Sequence, residues 1–179
     1  KSNGGSARGV CRGTPDHSLL AWQPMRVSVG GACELFLVSR DAEPISASKH
    51  AVDLIAANGL SCPGFPVELT STAEQRQPII DAAAGRAFIL LESGQVEAFQ
   101  LADGRRPRGF PAGLDAPDVL AGTRQMTMLP SAKAIFISNG SHSLTRIDAQ
   151  SGAMTDTIIS GAQRLTGLAS AGERLYAFD

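Results

Sequence analysis

Residues 63–69 read PGFPVEL and residues 108–114 read RGFPAGL. The two copies of Gly-Phe-Pro lie 45 positions apart. The same shift lays Asn58-Gly59 on Asp103-Gly104, Leu54 on Phe99 and Leu69 on Leu114. An apolar strand residue, an Asn/Asp-Gly turn, four residues, Gly-Phe-Pro and a Leu therefore recur in order. Self-similarity at a fixed period of this length marks a repeat architecture.

The repeat extends in both directions. Upstream, GRAFILL (85–91) matches CELFLVS (33–39) at a shift of 52 to 54, so the first copy carries a longer connection around 40–49. Gln77-Pro78 likewise matches Gln23-Pro24. Downstream, KAIFIS (133–138) follows GRAFIL by about 47, and LTRIDAQSG (144–152) follows VEAFQLADG (96–104) by 48. The third copy carries Thr157-Ile158-Ile159 where the others carry Gly-Phe-Pro. QRLTGLASAGERLYAF (163–178) repeats RQMTMLPSAKAIFI (124–137). These matches divide the chain into repeats at about 23–69, 77–114, 124–161 and 163–179, preceded by a polar segment, 1–22, that reads as a flexible tail and an outer strand.

Each repeat reads as four short strands. The first is Met25 to Val29, Ile79 to Ala82 or Met126 to Leu129. The second, more apolar, is Leu35 to Val38, Ala87 to Leu91 or Ala134 to Ile137. The third is Val52 to Ala56, Val96 to Leu101 or Leu144 to Ile147. A tight turn then ends in Gly59, Gly104 or Gly152, the residue type that supplies positive φ without a Cβ penalty. The last strand is Pro66 to Leu69, Pro111 to Leu114 or Met154 to Ile159, and Pro there suits an outer edge where no N–H is needed. One local signal competes: SKHAVDLIAANG (48–59) also fits a short helix capped by Ser48, but register with the second repeat favours a strand.

Four short antiparallel strands every 40 to 50 residues are the pattern of a β-propeller blade. A blade is apolar on both faces and buries them only by stacking on neighbours. The expected fold is all-β, with four-stranded antiparallel sheets in an incomplete ring. In that setting Phe65 and Phe110 dock one blade on the next, Gly59, Gly104 and Gly152 shape the turns, and Pro starts the outer strand. GQVEAFQLADGRRPRGFP (94–111), SLTRIDAQSGAMTDTI (143–158) and GERLYAFD (172–179) resemble the pyrroloquinoline-quinone-like propeller repeat and its YVTN and NHL relatives. The resemblance covers about 23–179 and implies architecture alone. That family usually has a Trp after the Gly turn; here Phe65 and Phe110 take its place, and Trp22 precedes the first repeat.

A closed ring typically has about four to eight blades. The chain carries about three and a half, and it stops at what reads as the third strand of a fourth. It begins at Lys1 rather than Met, so it is expected to be processed or a fragment, completed by the remaining blades or by a protein partner.

Composition narrows the partners. Net charge is −1 and only 18% of residues are charged, so no field recommends nucleic acid. No apolar run is long enough for a transmembrane helix, so no membrane insertion is expected. Cys11, Cys33 and Cys62 form neither CxxC nor a zinc spacing. An oxidising compartment would allow one bridge, Cys33 to Cys62, with a thiol left over; buried reduced thiols account for the sequence equally well. The module is placed outside the cytoplasm, periplasmic or secreted.

Chemistry-bearing residues are sparse. His17, His50 and His142 fall in different parts of the chain with no shared spacing and read as surface loop residues. Asp53, Glu97, Asp103, Asp148 and Asp156 sit in or beside turns, and Asp103 and Asp148 are expected to bond turn backbones. Ser46, Ser48 and Ser138 read as loop serines with no local base. Arg105-Arg106 reads as solvated charge, and Asn139-Gly140-Ser141 fits both a glycosylation sequon and ordinary turn chemistry. No nucleophile elbow, phosphate loop or zinc-helix motif is present. The resemblance's quinone enzymes use a vicinal Cys-Cys, which this chain lacks. No catalytic, cofactor-binding or metal residue is therefore assigned. The expected function is a non-catalytic binding or scaffold module within a larger assembly. The alternative is a fragment of a propeller enzyme, such as a quinoprotein dehydrogenase or a hydrolase, with its site on axial loops.

Overall fold

The computed structural model describes residues 25–28, 32–40, 49–56, 60–71, 78–113, 125–138, 142–158 and 165–178. Their secondary structure is strand, apart from one short 3-10 helix. The first sheet holds β1 (Met25–Ser28), β2 (Ala32–Arg40), β3 (Lys49–Ala56) and β4 (Val67–Glu68), hydrogen-bonded in chain order. The second holds β5 (Ile79–Asp81), β6 (Arg86–Leu90) and β7 (Val96–Gln100). The third holds β8 (Gln125–Leu129), β9 (Ala134–Ser138), β10 (Ser143–Asp148) and β11 (Met154–Ile158), and the fourth β12 (Gly167–Ala171) and β13 (Arg174–Phe178). Every pairing is antiparallel between consecutive strands. Within the helical competitor at 48–59, residues 49–56 form β3.

Of the second sheet's expected outer strand, Pro111 to Leu114, residues 111–113 are described. They form one bridge, Val96 to Ala112, in which each N–H meets the other's carbonyl at 2.6 and 2.9 Å. Pro111 has no N–H to extend that ladder. β12 and β13 take the places of a first and a second strand, as the match of 163–178 to 124–137 implies, and β13 is not the third strand that the end of the sequence suggests. β12 lies against β8, and the Thr127 hydroxyl reaches Ser170 Oγ at 3.2 Å.

The sheets stack through two apolar layers. Val52, Leu54, Phe65 and Leu69 of the first sheet and its exit meet Ala87, Ile89, Leu91, Phe99 and Leu101 of the second. On the second sheet's other face, Phe88, Leu90, Val96, Ala98, Phe110 and Ala112 meet Met126, Met128, Ile135, Ile137, Ile147 and Ala149 of the third. β6 is apolar from Ala87 to Leu90 because both of its faces are covered there, whereas β8 alternates buried and half-buried residues along QMTML. Full burial of a side chain such as Phe88 or Phe99 contributes about 1.5–3 kcal/mol.

One turn carries a residue type at odds with its backbone. A short 3-10 helix, Pro130–Ala132, ends at Lys133 with φ 47, where the matching turns use Gly85 at φ 63 and Gly172 at φ 58. A side chain in this region costs about 1–2 kcal/mol. Glycine forfeits about 0.5–1 kcal/mol of that through the entropy of its unfolded chain. Lys133→Gly is therefore expected to raise the thermal unfolding midpoint slightly, with a gain under about 1 kcal/mol. A lowered midpoint would count against the strained-turn account.

Candidate functional site

The recurring structural unit is the contact between one repeat's Gly-Phe-Pro and the next repeat's turn. Phe65 is buried in the layer between the first and second sheets, and Phe110 in the layer between the second and third. The Phe110 ring lies 5.9 Å from that of Phe88, tilted by 51°. Directly before each Phe, a glycine touches backbone of the next sheet. A Cβ on Gly64 would overlap the Asp103 carbonyl, and one on Gly104 would overlap that of Gly64. Gly109 and Gly152 stand in the same reciprocal relation, Gly109 against Ser151 and Gly152 against Gly109. All four have φ between 70 and 90. The sequence marks Gly104 and Gly152 as turn formers, but nothing in it tells that each faces the glycine of the preceding repeat. Gly59 lies outside the described residues.

Hydrogen bonds reinforce both contacts. Arg86 Nη1 donates to the carbonyls of Ala149 and Gln150 at 2.7 and 3.3 Å, tying the second sheet to the third. Between the first and second sheets the link is a set of hydrogen bonds to charged side chains. Glu97, the second residue of β7, is fully buried. Its Oε1 accepts the Thr70 N–H at 2.6 Å and the Thr70 hydroxyl. Its Oε2 accepts Arg106 Nε at 2.9 Å. Arg106 Nη2 also donates to the Glu68 carbonyl, and the guanidinium lies 5.2 Å from the Phe99 ring centroid. A buried carboxylate is tolerated when its lone pairs are taken up in this way. Glu97 is thus a central strand residue rather than a turn acid. Arg106 is not simple solvated charge: its side chain keeps only 33% of its exposure, against 83% for Arg105 beside Asp103.

The hydrogen bonds that close each third strand correct one register. The Ala56 N–H bonds the Leu60 carbonyl, four residues on, whereas Gln100 bonds Arg105 and Asp148 bonds Ala153, each five residues on. The turn after β3 is one residue shorter. The counterpart of Leu54 is therefore Ala98, not Phe99. Asp53, Glu97 and Thr145 then occupy one position in three successive sheets, and all three are buried. Ser61 Oγ donates to Asp53 Oδ2 at 2.8 Å, from the position that Arg106 holds in the next repeat. A lone acid inside the apolar run VEAFQ was the available sequence signal for this position.

Asp148 and Asp103 do bond turn backbones. Asp148 Oδ1 accepts the N–H groups of Ser151 (2.7 Å) and Gln150 (3.1 Å) and the Ser151 hydroxyl (2.8 Å); Asp103 Oδ1 accepts the Arg105 N–H (3.1 Å). The Ser151 N–H and then its hydroxyl hold the Asp148 carboxyl below its ordinary 3.8 against the opposing effect of burial, with lesser help from the Gln150 N–H and the Arg146 charge. The stability this adds is complete above 3.8 and is lost as pH falls through the lower folded value. Asp148→Asn is expected to flatten that acid limb by lowering stability at pH 6 while leaving it almost unchanged at pH 2, as read from urea midpoints between about pH 2 and pH 6.

The remaining candidates do not converge. Ser138 is not a loop serine; it ends β9, fully buried, and its Oγ accepts the Gln125 N–H at 3.0 Å. His142 is exposed. Of His50 and Asp156 the backbone alone is described, in β3 and β11, and His17, Ser46, Ser48 and Asn139-Gly140-Ser141 lie outside the described residues. The bridge from Cys33 to Cys62 does not fit the ladders. Cys33 pairs with Ala56 on one side of β3, while Cys62 bonds Leu54 on the other. Two strand spacings, about 9–10 Å, exceed the roughly 7 Å Cα limit for a disulfide.

Among the described residues no group of three or more His, Cys, Asp or Glu is arranged to hold a metal, and no helix is long and apolar enough to cross a membrane. No protein-family model matches the chain, and no curated protein is significantly similar to it.

Proposed function

We propose that the chain is a propeller-type module of binding or scaffold function, related to the pyrroloquinoline-quinone-like, YVTN and NHL repeats and acting within a larger assembly or polypeptide. Three consecutive antiparallel meanders followed by a hairpin support the architecture. So do the two successive layers built around Phe65 and Phe110, and the approach of first strands β8 and β12.

The observation that carries the assembly reading is the outward face of the last hairpin. Ladder register equates Arg174, Tyr176 and Phe178 of β13 with Arg86, Phe88 and Leu90 of β6. Phe88 and Leu90 are wholly covered by the third sheet, and Arg86 holds its carbonyls. Tyr176 and Phe178 are 43% and 54% exposed. The fourth sheet therefore presents a similar combination of side chains, Arg, Tyr and Phe in place of Arg, Phe and Leu, on an exposed face. Large apolar side chains grouped on one exposed face are the usual mark of an interaction surface.

Sedimentation velocity tests this reading. The chain is expected to associate as concentration rises, and Tyr176→Glu with Phe178→Glu to return it to monomer without loss of its circular dichroism. A folded wild-type chain that stays monodisperse and monomeric throughout would overturn it.

A further inference from the structure

Resting on the repeat reading above, the geometry points to the edge of β13 opposite β12 as an acceptor for one added antiparallel strand of defined pattern. Among the described residues β13 has only β12 as a neighbour. In the three other sheets the second strand is flanked on both sides. Its residues also differ in exposure: Ala87 to Leu90 of β6 are buried, while β13 is exposed at every position but Leu175.

The three complete ladders state what belongs on such an edge. Opposite Leu37, Leu90 and Ser138 stand Val52, Val96 and Leu144. The next residues inward are Asp53, Glu97 and Thr145; then Leu54, Ala98 and Arg146; then Ile55, Phe99 and Ile147. The fifth is Ala56, Gln100 or Asp148. Opposite Phe178, Ala177, Tyr176, Leu175 and Arg174, the added strand accordingly reads apolar, acid or Thr, variable, Phe or Ile, then a small or polar residue.

The facing surface of the third sheet selects within that pattern. Thr127 meets Ser170 there, and alternation places Phe136 and Arg146 on the same face. Both are only half-buried, whereas their counterparts Phe88 and Ala98 are fully covered. A Phe or Ile at the fourth position covers Phe136. An acid at the second position lies on the side of Arg146, which favours Glu or Asp over Thr. The occupant is an extended acidic-apolar segment, bound by main-chain pairing for affinity and by these two side chains for choice, as in strand addition generally.

The test uses the whole chain, below its association concentration, and a fluorescein-labelled peptide of residues 95–104, QVEAFQLADG. Saturable anisotropy is expected, with hydrogen-exchange protection confined to β13. Peptides carrying Glu97→Lys or Ala98→Pro are expected to bind at least tenfold more weakly. In the chain, Arg146→Glu is expected to reverse the preference between the Glu and Lys peptides. No saturable binding by the folded chain, equal binding of the proline peptide, or protection elsewhere would each refute the acceptor edge. A chain that associates through Tyr176 and Phe178 but binds no peptide refutes the edge alone. A monomeric chain that binds peptide at β13 refutes the assembly reading alone.

Discussion

Gly64→Ala is expected to destabilise the chain by about 2–5 kcal/mol, from about 1–2 for a left-handed non-glycine residue and about 1–3 for backbone forced apart. The new Cβ meets the Asp103 carbonyl, which belongs to the next sheet's turn and cannot rotate away as a flexible side chain would. Gly109→Ala should behave alike against Ser151, because the same relation recurs one repeat later. Gly85→Ala is the control. Its φ is also positive, 63, but nothing lies within 4 Å of the added carbon. That variant should lose only the conformational part, about 1–2 kcal/mol. Denaturant unfolding of the three proteins separates the effects. Equal losses at Gly64 and Gly85 would mean that inter-sheet contact contributes nothing at this position.

Arg106→Ala is expected to cost about 3–5 kcal/mol, the usual penalty for stripping the partner from a buried charge. Glu97 would keep its two bonds from Thr70 but lose the guanidinium that neutralises it. Replacing both members, Glu97→Leu with Arg106→Leu, should recover much of that loss, since an apolar pair of similar size is often as stable as a buried ion pair. A double-mutant cycle gives the coupling directly. If Arg106→Ala costs no more than an exposed pair, about 0–1 kcal/mol, the contact does not couple the first sheet to the second. Urea midpoints at fixed pH suffice for the comparison.

Much of the strand layout was legible in the chain. Gly-Phe-Pro at 64–66 and 109–111 located two equivalent points, and the apolar runs around them located the central strands. Turn chemistry was legible too: Asp103 and Asp148 bond the backbones that their positions suggest. These features are local. A strand's alternation, a glycine's positive φ and an Asp beside a turn each depend on a few neighbouring residues.

The errors arose where one residue of spacing changes the outcome. A uniform shift of 45 paired Leu54 with Phe99. The turn after β3 is one residue shorter, so the true counterpart is Ala98. Because side chains alternate between faces, that single step exchanges the entire inner and outer sets of β3. It also hid the shared position of Asp53, Glu97 and Thr145. Glu97 itself looked like a turn acid because its partners are remote: Thr70 lies 27 residues before it, and Arg106 reaches it from beyond the next turn.

The chain alone thus determined its all-β character, the order of its strands and the places where it turns, since these follow from alternation and backbone preference within a few residues. Tertiary structure decided which face of each strand is covered, that Gly64 and Gly104 touch, and that a buried carboxylate joins two sheets. Those outcomes depend on register and on approach between segments tens of residues apart, and no local preference encodes them.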